Sequence, residues 1–478
     1  MVYPILAPSN TWYKSSALRS TITQINIVDT YTPTGNESET WNADVDNSGS
    51  IKCYLNGSIL TIAGNGSGKI IMNSDSSYLF SYAITATSQT DKLFINCTAI
   101  NGLDLFDSSN VSKMNRVFAY CISLTELNLS SWDVRNVTTL EYAFGVSDSV
   151  GIMHLETLNI SGWNITNKCT SIRNMFLNCE HLTYVDVSNW DVSGVTSMYF
   201  AFYGCKSLTS LDVSNWSMPS CTTMQAMFYC CNVLQYLDTS NWNVCNVTDM
   251  SHMFRGCYAL TTLDVSKWNI NKATNMVSMF EQCHALISID VSNWDVSNVL
   301  DMRHMFNQCF ALKSLDVSRW NVGNVTNMQQ LFTHCSSLTS LDLSNWNTSK
   351  VTTFENMLYG MQKLEKITIG SNFRYNGNGS VSKVAVLPTP SSEHFADADG
   401  FWYTYDGVAY TSDEAVKVVP MTYYAVNPVF DRDYLTKGRT VLQLAKATRE
   451  KFDITDKITV EQITNIIKDL VNAEEVAF

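Results

Sequence analysis

An α/β solenoid built from repeated 26-residue units, each a strand, a turn and a short helix, is the fold class the sequence predicts. Three observations carry it. Trp190, Trp216, Trp242, Trp268, Trp294, Trp320 and Trp346 follow one another at intervals of 26 residues, and Trp163 and Trp132 extend the series backwards with gaps of 27 and 31. Cys121, Cys179, Cys205, Cys231, Cys257, Cys283, Cys309 and Cys335 each lie 11 residues before the tryptophan of their unit. Asp186, Asp212, Asp238, Asp264, Asp290, Asp316 and Asp342 each lie four residues before it. A period of this size means coils that cannot bury their apolar faces alone and must stack on their neighbours.

The first region, residues 1–95, reads as a β-rich head and cap. The stretches 22–31 and 50–72 show the alternation and β-branched content of strands, interrupted by Asn-Gly and Gly-Ser turns. A stack needs such a cap, because its terminal coil would otherwise offer an apolar core and an open strand edge to water. Residues 96–372 hold the array. In the unit ending at Trp242, Met224, Met227, Phe228 and Cys231 fall at i, i+3, i+4 and i+7, which predicts a short helix. Leu-Asp-Val before Trp216 and Trp268 has period 2, a strand with Leu and Val inward and Asp outward. The Asn/Asp-Val-x-Asn-Val-Thr run after the tryptophan is a turn-rich return. Phe106 takes the tryptophan position of a first unit, whereas Met361 and Asn372 replace Cys and Trp where the array ends. Residues 373–425, with Phe401, Trp402, Tyr403, Tyr405 and Tyr410, read as aromatic hairpins forming a β-type cap. Residues 426–478 read as a helical module, with amphipathic helices over 431–452 and 459–471.

Composition narrows the function classes. Charged residues are only 16% of the chain, against roughly 25% in ordinary soluble domains. The formal charge of −13 and the absence of any basic run argue against nucleic acid as a partner, since phosphate binding needs clustered Lys and Arg. No stretch of 18 apolar residues predicts a membrane span. The first residues, MVYPILAPSNTWYK, do not read as a secretory leader. Of the 14 cysteines, eight occupy one repeat position and read as a buried thiol column; disulfides or a metal are the alternative, although no CxxC pair or Cys/His cluster supports them.

The motif N-V-T-x-M-x-x-M-F-x-x-C-x-x-L-x-x-L-D-V-S-x-W, as in Asn246 to Trp268, resembles the bacterial-surface-protein type of leucine-rich repeat, the BspA-like group (DUF285), over roughly residues 100–372. Leu60 to Gly66 resembles the L-x-I-x-G-x-G segment that often precedes such arrays. The resemblance implies an α/β leucine-rich-repeat solenoid used for adhesion and protein binding, found on bacterial surfaces and in bacteriophage genomes. The spelling from Leu442 to Leu470 is similar to a small helical module of bacteriophage tail proteins, although the Gly usual near Phe452-Asp453 is missing.

Catalytic and metal-binding patterns fail on inspection. Gly64 to Ile70 echoes a phosphate loop but lacks Gly at Ala63 and Ser or Thr at Ile70. Asp44 to Gly49 opens like a calcium loop, yet its twelfth position is Leu55. His252 and His304 are equivalent positions two units apart and imply no ligand set, so neither a cofactor nor a metal is expected. The aspartate row has two readings. In one, each carboxylate accepts hydrogen bonds from Ser or Thr of its own and adjacent strands. In the other, the seven aspartates with Tyr184, Tyr236 and variable neighbours such as Glu126, Ser210, Thr262, Ser288 and Ser314 form a ligand-facing, cation-bridged surface.

The sequence therefore leads to a non-enzymatic binding protein. The expected setting is a virion, as a phage tail or baseplate component contacting a host surface protein or glycan, with other virion proteins held by the terminal regions and a homo-oligomer compatible with the array. The alternative is a bacterial cell-surface adhesin of the same repeat type. A glycan hydrolase would need paired carboxylates in a cleft, and the repeated aspartates are too uniform to be that pair.

Overall fold

A computed structural model describes residues 3–8, 11–82, 92–147, 151–374, 386–395, 398–415 and 420–426. They fall into two bodies, Met1–Ala273 and Thr274–Phe478, each taken by itself. The expected helices over 431–452 and 459–471 lie outside the described residues.

In the first body, the strands Glu39–Asn42, Lys52–Asn56, Ile59–Ala63, Gln24–Val28 and Ala99–Asn101 form one sheet in that order. The first two pairings are antiparallel, and the last two are parallel. Gln24–Val28 alternates half-buried and buried positions, as its spelling QINIV dictates. The successive coils then repeat two parallel contacts. One is at the predicted strand, which pairs between Glu126–Asn128 and Thr157–Asn159 and between Tyr236–Leu237 and Thr262–Leu263; it is shorter than Leu-Asp-Val predicts, ending at Leu263 before Trp268 and forming no strand at Leu211-Asp212-Val213. The other is a single bridge per coil running Lys113, Thr139, Ser171, Ser197, Thr223, Asp249.

The second body repeats the pattern with bridges at Asn275, Asp301, Asn327 and Thr353. Its strands Ser340–Leu343 and Lys366–Ile369 are parallel. Met421–Tyr424 then pairs antiparallel with Lys366–Ile369, and Trp402–Tyr403 and Ala409–Tyr410 complete the sheet as a hairpin.

Apolar columns fill the coils. Trp190, Trp216, Trp242 and Trp268 stack at 5.7–6.4 Å between ring centres, and each of the last three indole N–H groups donates to a carbonyl of the preceding coil, as Trp216 does to Val187 at 3.2 Å. Trp294, Trp320 and Trp346 do likewise in the second body. Phe176, Phe202, Phe228 and Phe254 form a parallel column. Beside it the thiols of Cys205, Cys231 and Cys257 donate to the carbonyls of Phe176, Phe202 and Phe228 at 3.2–3.3 Å. All 14 cysteines are free thiols. Burial pushes that of Cys335 up to about 12, so the column is unionised and unreactive at neutral pH.

The predicted short helix is not there. Among the described residues of the array, the M-x-x-M-F-x-x-C segment is a succession of turns. In one coil the N–H groups of Met227, Tyr229 and Cys231 donate three residues back. Those of Met224, Ala226, Phe228 and Cys230 donate to Asp249, Ser251, Met253 and Arg255 of the next coil at 2.8–3.0 Å. The coil from Met302 to Gln308 does the same towards Asn327, Gln329, Leu331 and Thr333. An α-helix keeps these donors inside the segment, and eight residues are too few to recover its nucleation cost. Turns place i, i+3 and i+4 on one side as a helix does, so the apolar spacing is the same.

Redirecting the donors requires left-handed residues. Arg116, Tyr142, Asn174, Phe200, Ala226 and His252 in the first body, and Ser278, His304, Gln330 and Asn356 in the second, have φ between 52° and 60°. Each costs roughly 1–2 kcal/mol for a residue with a Cβ. Cys230 and Gln308, at 60° and 62°, add a second such residue to their coils, and the four bonds to the next coil, about 0.5–1.5 kcal/mol each, offset the pair. Gln330→Gly is therefore expected to raise the unfolding free energy by up to about 1 kcal/mol, and Gln330→Val to lower it by more than that. Denaturant titration of both variants checks this, and equal losses for the two would refute the left-handed assignment.

Candidate binding face

The strand positions that face water are where the sequence places the candidate site. In the first body Tyr184 and Tyr236 are 54% and 58% exposed, Asp212 and Asp264 are exposed, and Asp186 and Asp238 are half-buried. In the second body Asp290, Asp316 and Asp342 are exposed. The flanking Leu211, Val213, Leu341 and Leu343 are buried, so the Leu-Asp-Val alternation points as its period requires.

Each aspartate is engaged within its own coil. Asp186, Asp212, Asp238, Asp264, Asp290 and Asp316 each accept the backbone N–H of the serine two residues later at 3.0–3.1 Å and its hydroxyl at 2.7 Å. Asp342 accepts the N–H of Ser344 at 2.9 Å. Asn128 and Asn159 make the same pair of bonds to Ser130 and Ser161 through their amide oxygens. The residue thus closes the turn that ends the strand and delivers the chain to the buried tryptophan.

The hydrogen bonds from Ser214, Ser266 and Ser318 hold the carboxyls of Asp212, Asp264 and Asp316 below the usual carboxylate range. A depressed folded pKa adds stability above the unfolded value of about 3.9, and that stability is lost as pH falls through the folded value. Burial, followed by the charges of Asp186 and Asp212, pushes the Tyr184 hydroxyl up. Asn128 and Asn159 already do the same work, so the triple variant Asp212→Asn, Asp238→Asn, Asp264→Asn is expected to fold but to melt somewhat lower at pH 7, because the amides forfeit the stability that ionised Asp212 and Asp264 add above the unfolded value. It should also melt with a flatter acid dependence. Asp238→Ala, which removes the acceptor, is expected to cost about 1 kcal/mol. Thermal melts between pH 3 and 7 separate these outcomes.

An open groove of about 650 Å³ adjoins this row, with Asn101, Asp104, Glu126, Asn128, Thr157 and Asn159 among its lining residues. The two weak motifs resolve into turns. Asp44 accepts the N–H and hydroxyl of Ser48 at 2.6 and 2.7 Å. The Gly68 N–H donates to Asp29 at 2.8 Å, so a carboxylate occupies the place a phosphate would need. Among the described residues no three of His, Cys, Asp and Glu are grouped to hold a metal ion, and no helix is long and apolar enough to cross a membrane.

A second surface lies on the turn side of the coils. In the first body Tyr199, Phe200, Tyr203 and Tyr229 are half-exposed and stand 4.1, 4.8 and 4.8 Å apart, centre to centre, in that order. The Arg173 guanidinium lies 4.7 Å over Tyr199, and that of Arg255 lies 5.3 Å over Tyr229. Sequence reasoning missed these residues because it assigned the segment to a helix and followed only its inward positions.

No curated protein matches the chain. Three solved structures are similar to it at low level. A plant peptide hormone receptor, RGFR1 in complex with RGF2, has 11% identity and a TM-score of 0.23 over 63% of this chain and 47% of that one. TLR13 in complex with ssRNA13 has 14% and 0.24, over 65% and 47%. The functional domain of InlJ from Listeria monocytogenes, described as including a cysteine ladder, has 15% and 0.15, over 72% and 83%. The chain thus covers about half the length of the first two. A family model described as "Mycoplasma protein of unknown function, DUF285" matches four times, over residues 87–211, 150–263, 196–311 and 286–376. Those matches span more than half of the 478 residues, and the chain belongs to the DUF285 family.

Proposed function

We propose that this chain is a non-catalytic binding protein of a virion, a bacteriophage tail or baseplate component. Its repeats, arranged as a leucine-rich-repeat solenoid, recognise a protein or glycan on the host surface. The observation that carries the reading is the contrast between inward and outward positions of equivalent coils. Inward, Phe, Cys and Trp recur. Outward, the residue before the strand leucine changes from Tyr184 to Ser210, Tyr236 and Thr262 in the first body, and the second ends on Lys366. A fixed scaffold presenting changeable polar and aromatic side chains is what recognition of an extended ligand requires.

The virion setting is supported by 14 reduced cysteines, which fit folding in a reducing cytoplasm before release, and by the tail-type spelling of Leu442 to Leu470. The terminal regions would hold other virion proteins. DUF285 membership equally fits a bacterial surface adhesin, the second reading. Mass spectrometry of purified virions and of host envelope fractions, with immunogold labelling, decides between them. Recovery of the chain from virions is expected, and recovery from the envelope alone would sink the virion assignment.

A further inference from the structure

We infer that the groove shared by the strands Ala99–Asn101 and Glu126–Asn128 is a docking site for an extended, positively charged peptide segment, which adds its main chain to the open edge of Glu126–Asn128. The inference rests on the binding role above and names a class of partner for it. Its ground is an interruption of the parallel pairing in the first body. The N-terminal sheet ends on Ala99–Asn101, and Glu126–Asn128 belongs to a separate sheet with Thr157–Asn159. Among the described residues no backbone hydrogen bond joins the two strands. Successive residues of a parallel strand point their N–H and C=O groups to opposite sides. Thr125 and Leu129 bond towards Thr157 and Asn159, so Glu126 and Asn128 turn theirs to the other side. Thr98 bonds towards Thr23, so Ala99 and Asn101 turn theirs away from the N-terminal sheet. These four residues all line the groove of about 650 Å³. Of their outward backbone groups, the Ala99 carbonyl accepts the Cys97 thiol at 3.3 Å. The remainder form an open edge, the template on which an extended chain pairs.

The repeat itself sets this place apart. Strand pairing also lapses further along, but there the residue four before the tryptophan is Asn or Asp and closes a turn on the serine two residues later, as Asn159 and Asp212 do. In the first coil that position is Gly102, and Asp104 replaces the serine. Gly102 takes φ 76°, and the short 3-10 helix Leu103–Leu105 stands where the Asx turn would be. Asp104 is thereby left exposed at the groove instead of a bonded serine. The charge of the lining then selects the occupant. Asp104 and Glu126 are both exposed, and neither carboxylate has a partner among the described residues. No lysine or arginine lines the groove, and the Lys69 amine is held by the main-chain carbonyl of Asp104 at 2.8 Å. A strand laid on this edge brings alternate side chains opposite Glu126 and Asp104, where Lys or Arg is favoured and Asp or Glu is repelled.

The test titrates the full chain, by fluorescence anisotropy, with a labelled peptide of alternating valine and threonine in which every fourth residue is lysine. One control peptide carries glutamate for lysine, and another keeps the lysines but is N-methylated at every valine and threonine. The lysine peptide is expected to bind, and each control to bind about tenfold more weakly or worse, the methylated one because it loses two or more main-chain bonds. Glu126→Pro removes an N–H that faces the groove and leaves the bonds of Thr125 and Leu129 intact, a position where a strand tolerates proline. About tenfold weaker binding is expected for it, with thermal melting as the check on folding. Glu126→Gln and Asp104→Asn should each weaken binding about two- to fivefold at low salt, a difference that fades as salt is added. On the parent chain, hydrogen exchange over 124–129 should slow when the lysine peptide is bound, while the coils around Met224 to Met253 stay as they were. No binding of the lysine peptide, equal binding of either control, unchanged exchange over 124–129, or a dimer of the chain that Glu126→Pro disperses would each overturn the assignment. None of these results touches the virion fractionation, so the broader role stands or falls separately.

Discussion

Trp216→Ala is expected to lower the unfolding free energy by about 3–5 kcal/mol, the range for removing a fully buried aromatic from a packed core. Trp216 is 0% exposed, is stacked between Trp190 and Trp242 at 6.2 and 6.4 Å, and touches the Phe202 ring. Collapse into the space is restricted, because Trp242 is held by its bond to Val213 and Trp190 by its stack on Phe176. The cavity term therefore adds to the lost transfer energy. Coils meet only their neighbours, so a defect here also uncouples the coils on its two sides from each other. The melt should broaden as well as move. Trp216→Phe keeps a ring in the stack but leaves the Val187 carbonyl without its indole donor, so a loss of about 1–3 kcal/mol is expected. Urea titration followed by far-UV circular dichroism measures both. An alanine variant within about 1 kcal/mol of the parent would show that the column is not what couples the coils.

The second large effect is expected at Gly102, which joins the strand Ala99–Asn101 of the N-terminal sheet to the first coil. Its φ is 76°, and a Cβ built there falls 2.0 Å from the Ile27 carbonyl oxygen. Gly102→Ala combines left-handed strain of about 1–2 kcal/mol with a backbone clash that only displacement of a strand relieves. A total of roughly 3 kcal/mol or more is expected, concentrated at the head. Hydrogen exchange should show lost protection over Gln24–Val28 and Ala99–Asn101 while the coils around Met224 to Met253 stay protected. Uniform loss across the body would instead mean that head and coils unfold as one unit.

The inward half of the architecture was legible in the sequence and the outward half was not. Phe, Cys and Trp columns announce themselves because every coil needs the same shape in the same place, and each is buried as its register demands. The misplaced helix has a definite cause. Met224, Met227, Phe228 and Cys231 satisfy helical spacing, but spacing reports only which side a residue faces, and three-residue turns face the same way. What separates the two is the destination of the N–H groups and the sign of φ at Ala226, neither of which the side chain dictates. Five aspartates of the row are exposed and Asp186 and Asp238 are half-buried, but only Asp342 lies within a strand; the serine two residues on, which each of them binds, is visible in every D-x-S of the array. The aromatic run was equally visible, since Tyr199, Phe200 and Tyr203 stand where other coils carry mostly polar or small side chains. Finding it required comparing outward positions between coils.

In each body a strand of the parallel pairing is met on its other side by one that runs the opposite way. In one, Lys52–Asn56 runs against Ile59–Ala63, with Glu39–Asn42 beyond it. In the other, Met421–Tyr424 runs against Lys366–Ile369, with the hairpin of Trp402–Tyr403 and Ala409–Tyr410 beyond it. A further parallel strand would need the backbone groups of Ile59–Ala63 or Lys366–Ile369, and those are already paired within the same body.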